Sequence, residues 1–198
     1  MTFMLDPDFY RRISNFLLPT AYCLLPTACY ILFTEMNACT IPRIGLGYDS
    51  HKLIDGDGLI LGGVHIPHNK SLQGHSDADA LLHAISDALL GAAAMGDIGQ
   101  MFPDTAEENR GRNSGEMLQI IWDKIQAEGY KLGNLDAVVL AQKPKLLPYV
   151  AAIRENIARL LDVPAESIGL KAKTGEGVGP VGEQVLLEVY ATALIYRE

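Results

Sequence analysis

Helical periodicity in residues 76–94, "SDADALLHAISDALLGAAA", constrains what this chain can fold into more than any other feature. Leu81, Leu82, Ile85, Leu89 and Leu90 recur at helical spacing, which predicts an amphipathic helix over 77–94 with one strongly apolar stripe. Ser76 is a good N-cap, and Asp79 three residues on completes an S-x-x-D capping pattern. The first free amides of the helix should therefore lie beside His75, where they can hold an anion. Such a stripe must be buried, and the flanking runs supply strands for it to pack on. Residues 43–50 read as a strand, and 58–67, "GLILGGVHIP", as strand, Gly-Gly turn and strand. Further helices are predicted over 113–128 and 147–161, and strands over 135–142, 167–172 and 184–196. This mixture argues for α/β (α+β) class: a single mixed β-sheet with helices packed on one side.

With 198 residues and 48% hydrophobic content the chain can bury one substantial core. A formal net charge of −8, without any Lys/Arg run, argues against nucleic acid and against a membrane surface as partners. An acidic protein that binds phosphate must use backbone amides and metal ions instead. Residues 1–40 read differently from the rest: "LLPTAYCLLPTACY" nearly repeats itself, and Pro19 and Pro26 interrupt any helix. The stretch is too broken for a transmembrane span, and Asp6 and Asp8 spoil the basic start of a signal peptide. Arg and Ser are too few for a transit peptide leading to an organellar stroma. We expect an N-terminal extension at 1–40, disordered or an artefact of the start site with Met36 the true start, followed by a functional domain at 41–198. All three cysteines fall before residue 40, so no disulfide framework is implied and a cytoplasmic location is expected.

The five histidines, by contrast, all lie between His51 and His83. Asp49 and His51 in "RIGLGYDSHKL" are two residues apart on a predicted strand, so both project from one face and make half of a metal site. His83 is the candidate third ligand. Asp79, His83 and Asp87, spaced by four, share one helix face and put this imidazole in acidic surroundings. A carboxylate with two imidazoles suits zinc with an open fourth position, the pattern of a catalytic site. The plainer alternative is an exposed strand-end pair and a hydrogen-bonded core histidine. "KAKTGEGVGP", residues 171–180, runs from a strand into a glycine-rich turn that matches neither Walker A nor G-x-G-x-x-G. It is either a flexible hairpin loop or a phosphate site, with Thr174 and amides on the oxygens and Glu176 on a hard cation such as magnesium. "AQKPKLLP", residues 141–148, leaves its strand through a turn that could read the edge of a base, or simply through solvated lysines beside a proline.

Taken in order, "RIGLGYDSHKL", "LGGVHIP", "HSDADALLHAISDALLGAAAMGDIGQMFPDT", "AQKPKLLP" and "KAKTGEGVGP" closely resemble the 2-C-methyl-D-erythritol 2,4-cyclodiphosphate synthases of the non-mevalonate isoprenoid pathway. The resemblance runs from about Arg43 to the C-terminus. It implies a chorismate-mutase-like fold that forms a homotrimer with active sites between subunits. The implied activity is that of a phosphorus-oxygen lyase acting on a cytidine diphosphate derivative, 4-diphosphocytidyl-2-C-methyl-D-erythritol 2-phosphate, and releasing CMP. By the same resemblance, Asp49, His51 and His83 bind one zinc per subunit, and Glu176 binds magnesium or manganese with the substrate phosphates. His75 and Thr174 match positions that stabilise the transition state. Asp49, His51, His75 and Ser76 match substrate-binding positions, His75 and Ser76 beside the attacking phosphate and the methylerythritol part. Asp97, Ile98 and Gly99, with Phe102, Pro103, Asp104, Thr105 and Ala106, match the loop around the methylerythritol. Ala141, Gln142, Lys143, Pro144, Lys145, Leu146 and Leu147 match the cytosine pocket, and Lys173, Thr174, Gly175 and Glu176 the phosphate contacts.

Some positions depart from the commonest pattern. Lys173 stands where threonine is frequent, an ammonium compatible with phosphate. Pro180 and Glu183 replace a phenylalanine and an arginine that often line the trimer's central cavity, so isoprenoid-diphosphate binding there is not expected to carry over. Ala106 replaces a frequent acidic residue, a mild change. Two rival functions are open to the same residues. A mononuclear zinc hydrolase would use the three ligands with Asp79 or Asp87 as base for a water. A non-catalytic trimeric nucleotide-binding module would keep the fold without turnover.

Overall fold

Two glycines decide how closely the first strand meets the first long helix. The computed structural model describes residues 41–197; the expectations for 1–40, including Met36 and the three cysteines, lie outside the described residues. Strand β1, Arg43–Asp55, continues past the predicted end at residue 50. Its Gly45 and Gly47 face helix α1, Ala80–Ala93. A Cβ on Gly45 would lie 1.9 Å from the Ala88 carbonyl oxygen, and one on Gly47 1.9 Å from that of Ala84. Ala84 and Ala88, one turn apart, are small enough for the two backbones to touch, so α1 rests directly on β1.

The remaining elements follow in order: β2 Leu59–Leu61, β3 Val64–Ile66, β4 Lys70–Leu72, α2 Ile98–Met101, α3 Ser114–Ala127, β5 Tyr130–Leu140, α4 Val150–Leu161, β6 Ile168–Lys173, α5 Gly179–Gly182 and β7 Leu186–Arg197. The main sheet runs β4-β1-β7-β5-β6. Only β5 and β6 pair in parallel, so the sheet is mixed as expected. On β7, Leu187, Val189, Ala191, Ala193 and Ile195 are all buried while the residues between them face outward. This period of two places the core on the helix side, where Leu118, Ile121 and Ile125 of α3 and Ile153, Ile157 and Leu161 of α4 join the α1 stripe. The opposite face carries exposed Ile44, Leu46, Tyr48 and Tyr190.

The Gly62-Gly63 turn is present with both residues at positive φ, +60° and +73°, as a tight two-residue hairpin requires. The hairpin forms its own two-stranded sheet, and Leu59, Leu61 and Ile66 bury it against the core. Helix α3 follows its predicted bounds because Asn113 caps it, accepting from the Glu116 amide at 3.1 Å, and Gly129 at φ +82° ends it. The 147–161 segment opens as a 3-10 turn, Leu147–Tyr149, before α4 begins. Strand β5 starts before its predicted residue 135, because a bulge between Leu132 and Asn134 absorbs the glycine and asparagine that read as loop. Edge strand β4 and the one-turn helices α2 and α5 are too short for their periodicity to be read from sequence. Among the described residues no helix is long and apolar enough to cross a membrane.

Candidate metal centre

Strand alternation carries β1 from Gly45 and Gly47 to Asp49 and His51 on the same face, while α1 carries His83 beside Ala84. Close contact of the two backbones therefore delivers the third side chain to the first two. Asp49 Oδ2 lies 3.0 Å from His51 Nε2 and 3.0 Å from His83 Nδ1, and the two ring nitrogens are 3.3 Å apart. Among the described residues this is the one His/Cys/Asp/Glu group that could hold a metal ion. Tetrahedral zinc with bonds of about 2.0–2.1 Å separates its ligand atoms by about 3.3 Å, so the donor set fits.

The surrounding hydrogen bonds aim each ligand atom. Asp49 Oδ1 accepts from the Ser50 amide at 2.8 Å, which leaves Oδ2 for the centre. His51 Nδ1 donates to the Gln73 carbonyl at 2.8 Å, which leaves the Nε2 lone pair free. His83 Nε2 lies 2.9 Å from Ser114 Oγ and 3.1 Å from Ser76 Oγ, which turns Nδ1 inward. Burial pushes the Asp49 carboxyl up, but the imidazoles of His51 and His83 beside it override that and hold the group well below the usual carboxylate range. Burial works against a charged His51, yet the Asp49 carboxylate and the Gln73 carbonyl raise it above the ordinary imidazole value.

Helix α1 departs from its predicted start. Its N-cap is Asp79, not Ser76, because Ala78 adopts a left-handed φ of 58° that reverses the chain between them. Asp79 is fully buried and accepts from Leu82 N at 3.1 Å, Gly62 N at 2.9 Å and Gly63 N at 2.6 Å. The helix start is thus capped and covered, not an anion site beside His75. Asp87 Oδ1 accepts from Ile98 N at 2.7 Å. The acidic partner of His83 is accordingly Asp49, and the two aspartates a hydrolase would need for a water are committed to backbone amides. Burial raises both carboxyls, that of Asp79 to about 6 despite its three amides.

The other predicted residues fall into two groups. His75 is exposed, and its carbonyl accepts from Gly111 N at 2.8 Å, tying this segment to the 103–112 loop. Asp97 caps α2 through Gln100 N at 2.9 Å, and the same Gln100 hydrogen bonds lower its carboxyl. Phe102 stacks under Arg112 at 4.9 Å, Pro103 accepts from Asn109 at 2.9 Å, and Asp104 and Thr105 are exposed. Of this group, Ile98 is tied to α1 through Asp87. The second group sits where β5 and β6 end. Ala141 N donates to Lys173 O at 2.9 Å, joining the 141–147 and 173–176 loops, and Gly177 N reaches Gln142 Oε1 at 3.5 Å. Leu146 is buried, Leu147 projects outward, and the Lys143–Pro144 bond is cis. Thr174 Oγ1 donates to Glu176 Oε1 at 2.5 Å, with Glu176 at a left-handed φ of 52°.

Asp49 is in register with Val189, and Val189 with Val139, which pairs with Ala172. Asp49 and the end of β6 therefore lie toward one end of the sheet, but β7 and β5 intervene, a span of three strand spacings or about 14 Å. Glu176 does not join the Asp49 group within one chain. Sequence reading missed Gln73, Asp77 and Ser114. It also passed over the Gly45/Gly47 and Ala84/Ala88 spacings, whose small-residue periods of two and four were a legible signal of close approach.

A mixed sheet with helices on one face, carrying a carboxylate and two imidazoles close enough to hold a metal ion, defines an α/β protein with a candidate metal centre. The YgbB family pattern matches residues 42–196, and the chain belongs to that family. It is 53% identical over 153 residues to the 2-C-methyl-D-erythritol 2,4-cyclodiphosphate synthase of Carboxydothermus hydrogenoformans, covering 77% of this chain and 94% of that protein. Identity to the Alkaliphilus oremlandii synthase is 55% over 140 residues, 71% of this chain and 89% of that one. Among solved structures, a synthase in a CDP-bound form superposes with a TM-score of 0.72 at 39% identity over 77% of this chain and 99% of that one. The bifunctional IspDF of Campylobacter jejuni gives 0.78 at 37% identity over 80% of this chain, which spans 43% of that protein.

Proposed function

We propose that this chain converts 4-diphosphocytidyl-2-C-methyl-D-erythritol 2-phosphate to 2-C-methyl-D-erythritol 2,4-cyclodiphosphate with release of CMP, in the non-mevalonate route to isoprenoids. The carrying observation is the convergence of Asp49, His51 and His83 in a chain that is 53% identical over 153 residues, and 55% identical over 140, to synthases of that name. An oxygen of the 2-phosphate bonds to the β-phosphorus as the bond from that phosphorus to the α-phosphate oxygen breaks. Nucleophile and electrophile belong to one molecule, so the protein's work is to fold the substrate back on itself and neutralise its charge.

Zinc on Asp49, His51 and His83, and magnesium or manganese on Glu176, supply Lewis-acid chemistry and charge neutralisation when bound. His75 and Ser76 contact the attacking phosphate end. Asp97 to Gly99 and the 102–106 loop enclose the methylerythritol, the 141–147 loop reads the cytosine, and Lys173 and Thr174 hold phosphate oxygens, with His75 and Thr174 stabilising the transition state. The assembly is a homotrimer with active sites between subunits. Two features support it: the two residue groups stand about three strands apart within one chain, and the outer sheet face presents exposed Ile44, Leu46, Tyr48 and Tyr190. The catalytic domain is 41–198, a reading supported by a family match that begins at residue 42.

Incubating the purified protein with the diphosphocytidyl phosphate and zinc and magnesium tests the assignment. Stoichiometric CMP and a cyclic diphosphate are expected; linear hydrolysis products, or no CMP, would refute it.

A further inference from the structure

The direction of a hydrogen-bond chain behind His83 can be worked out from which atoms own protons. Ser114, the first residue of α3, is buried, and its Oγ lies 2.9 Å from His83 Nε2. The same Oγ meets Asp77 Oδ1, while the Ser114 amide donates to Asp77 Oδ2 at 3.0 Å. A carboxylate has no proton to give, so the serine hydroxyl must donate to Asp77 and present its lone pair to the imidazole. Nε2 then carries the ring proton, and the Nδ1 lone pair faces Asp49 and His51.

We propose that Asp77, acting through Ser114, is a positioning residue that holds His83 in the tautomer able to bind metal. The left-handed Ala78 makes this possible, because it sends Asp77 toward Ser114 and Asp79 toward the hairpin turn. Ser76 Oγ also approaches Nε2, at 3.1 Å, but its other hydrogen bond comes from the Ala78 amide, so no carboxylate sets the direction of its proton.

The proposal rests on Asp49, His51 and His83 being the metal group, and zinc affinity of the unmodified protein, measured first by chelator competition, tests that reading separately. In Asp77→Asn the side-chain oxygen is expected to keep the Ser114 amide, at 3.0 Å, over the Asp79 amide, which reaches Oδ1 at 3.3 Å, so the NH2 group points at Ser114 Oγ and reverses the chain. The hydroxyl proton then turns toward Nε2. Zinc affinity is expected to fall about 10- to 100-fold. Ser114→Ala should fall less, since Ser76 remains as acceptor. The double variant should bind zinc more tightly than Asp77→Asn alone, because the opposing hydroxyl is gone. A merely structural role predicts the reverse order, as asparagine is nearly isosteric and the double variant loses the most contacts. A double variant as weak as Asp77→Asn, or an Asp77→Asn affinity equal to wild type, overturns the proposal. Nitrogen-15 NMR of the metal-free wild type needs no variant to fold: a neutral His83 protonated at Nε2 is expected, and a neutral ring protonated at Nδ1 would overturn the assignment.

Discussion

Replacing Gly47 with alanine probes whether direct contact between β1 and α1 assembles the ligand group. The new methyl carbon would sit 1.9 Å from the Ala84 carbonyl oxygen and 2.7 Å from the Ala88 amide nitrogen, both backbone atoms that no rotamer change can move. The gap must open by at least about 1 Å before the contact is tolerable. Overpacking of this kind costs about 2–3 kcal/mol, which for a chain of this size lowers Tm by roughly 4–12 °C. Because His83 directly precedes Ala84, the same movement carries Nδ1 away from its present 3.0 Å from Asp49 Oδ2. Turnover should then drop about 100-fold, as it does for comparable misplacements, and zinc affinity should fall with it. Gly45→Ala makes an equally short contact, 1.9 Å to the Ala88 carbonyl oxygen, one helical turn further from the ligands. It should cost similar stability but less zinc affinity. Thermal unfolding and chelator competition on both variants decide the matter; unchanged zinc binding in Gly47→Ala, or a greater loss in Gly45→Ala, would refute the reasoning.

His51→Ala should abolish zinc retention and CMP release while circular dichroism stays near that of wild type, since the half-buried ring contributes a ligand and little core. Zinc binding requires His51 Nε2 to be unprotonated, and Asp49 raises that group, so affinity measured by competition should increase with pH up to a value above the ordinary imidazole range and level off beyond it. In the metal-free protein the raised His51 contributes stability that is present below 6.5 and lost as pH rises through its folded value, whereas the depressed Asp49 contributes above 3.8 and loses it on acidification. Asp79→Ala strands three buried amides and should cost about 3 kcal/mol in urea unfolding. Burial lifts Asp79 to about 6, so its ionisation opposes folding. Its contribution is present below 3.8 and declines as pH rises toward 6, a slope the alanine variant should lack.

Periodicity made much of this protein readable. Asp49 and His51 fall on one face because strands alternate, and the α1 stripe announced a helix that had to be buried. The Gly62-Gly63 turn and the Asn113 cap are local rules that nothing distant overrode. The start of α1 was misread because a left-handed alanine carries no mark in the sequence, and because the amides that claim Asp79 come from a hairpin 16 and 17 residues upstream.

What the sequence determined by itself was therefore the elements, the faces they bury and the ligand types available on them, since each depends on neighbours within a few residues. Only the tertiary structure decided which atoms meet. Ser114 reaches His83 across 31 residues and Asp77 across 37, and β7 and β5 hold the Glu176 loop away from Asp49. Those relations are set by chain packing in three dimensions, where backbone contact at Gly45 and Gly47 fixes distances that no local pattern encodes.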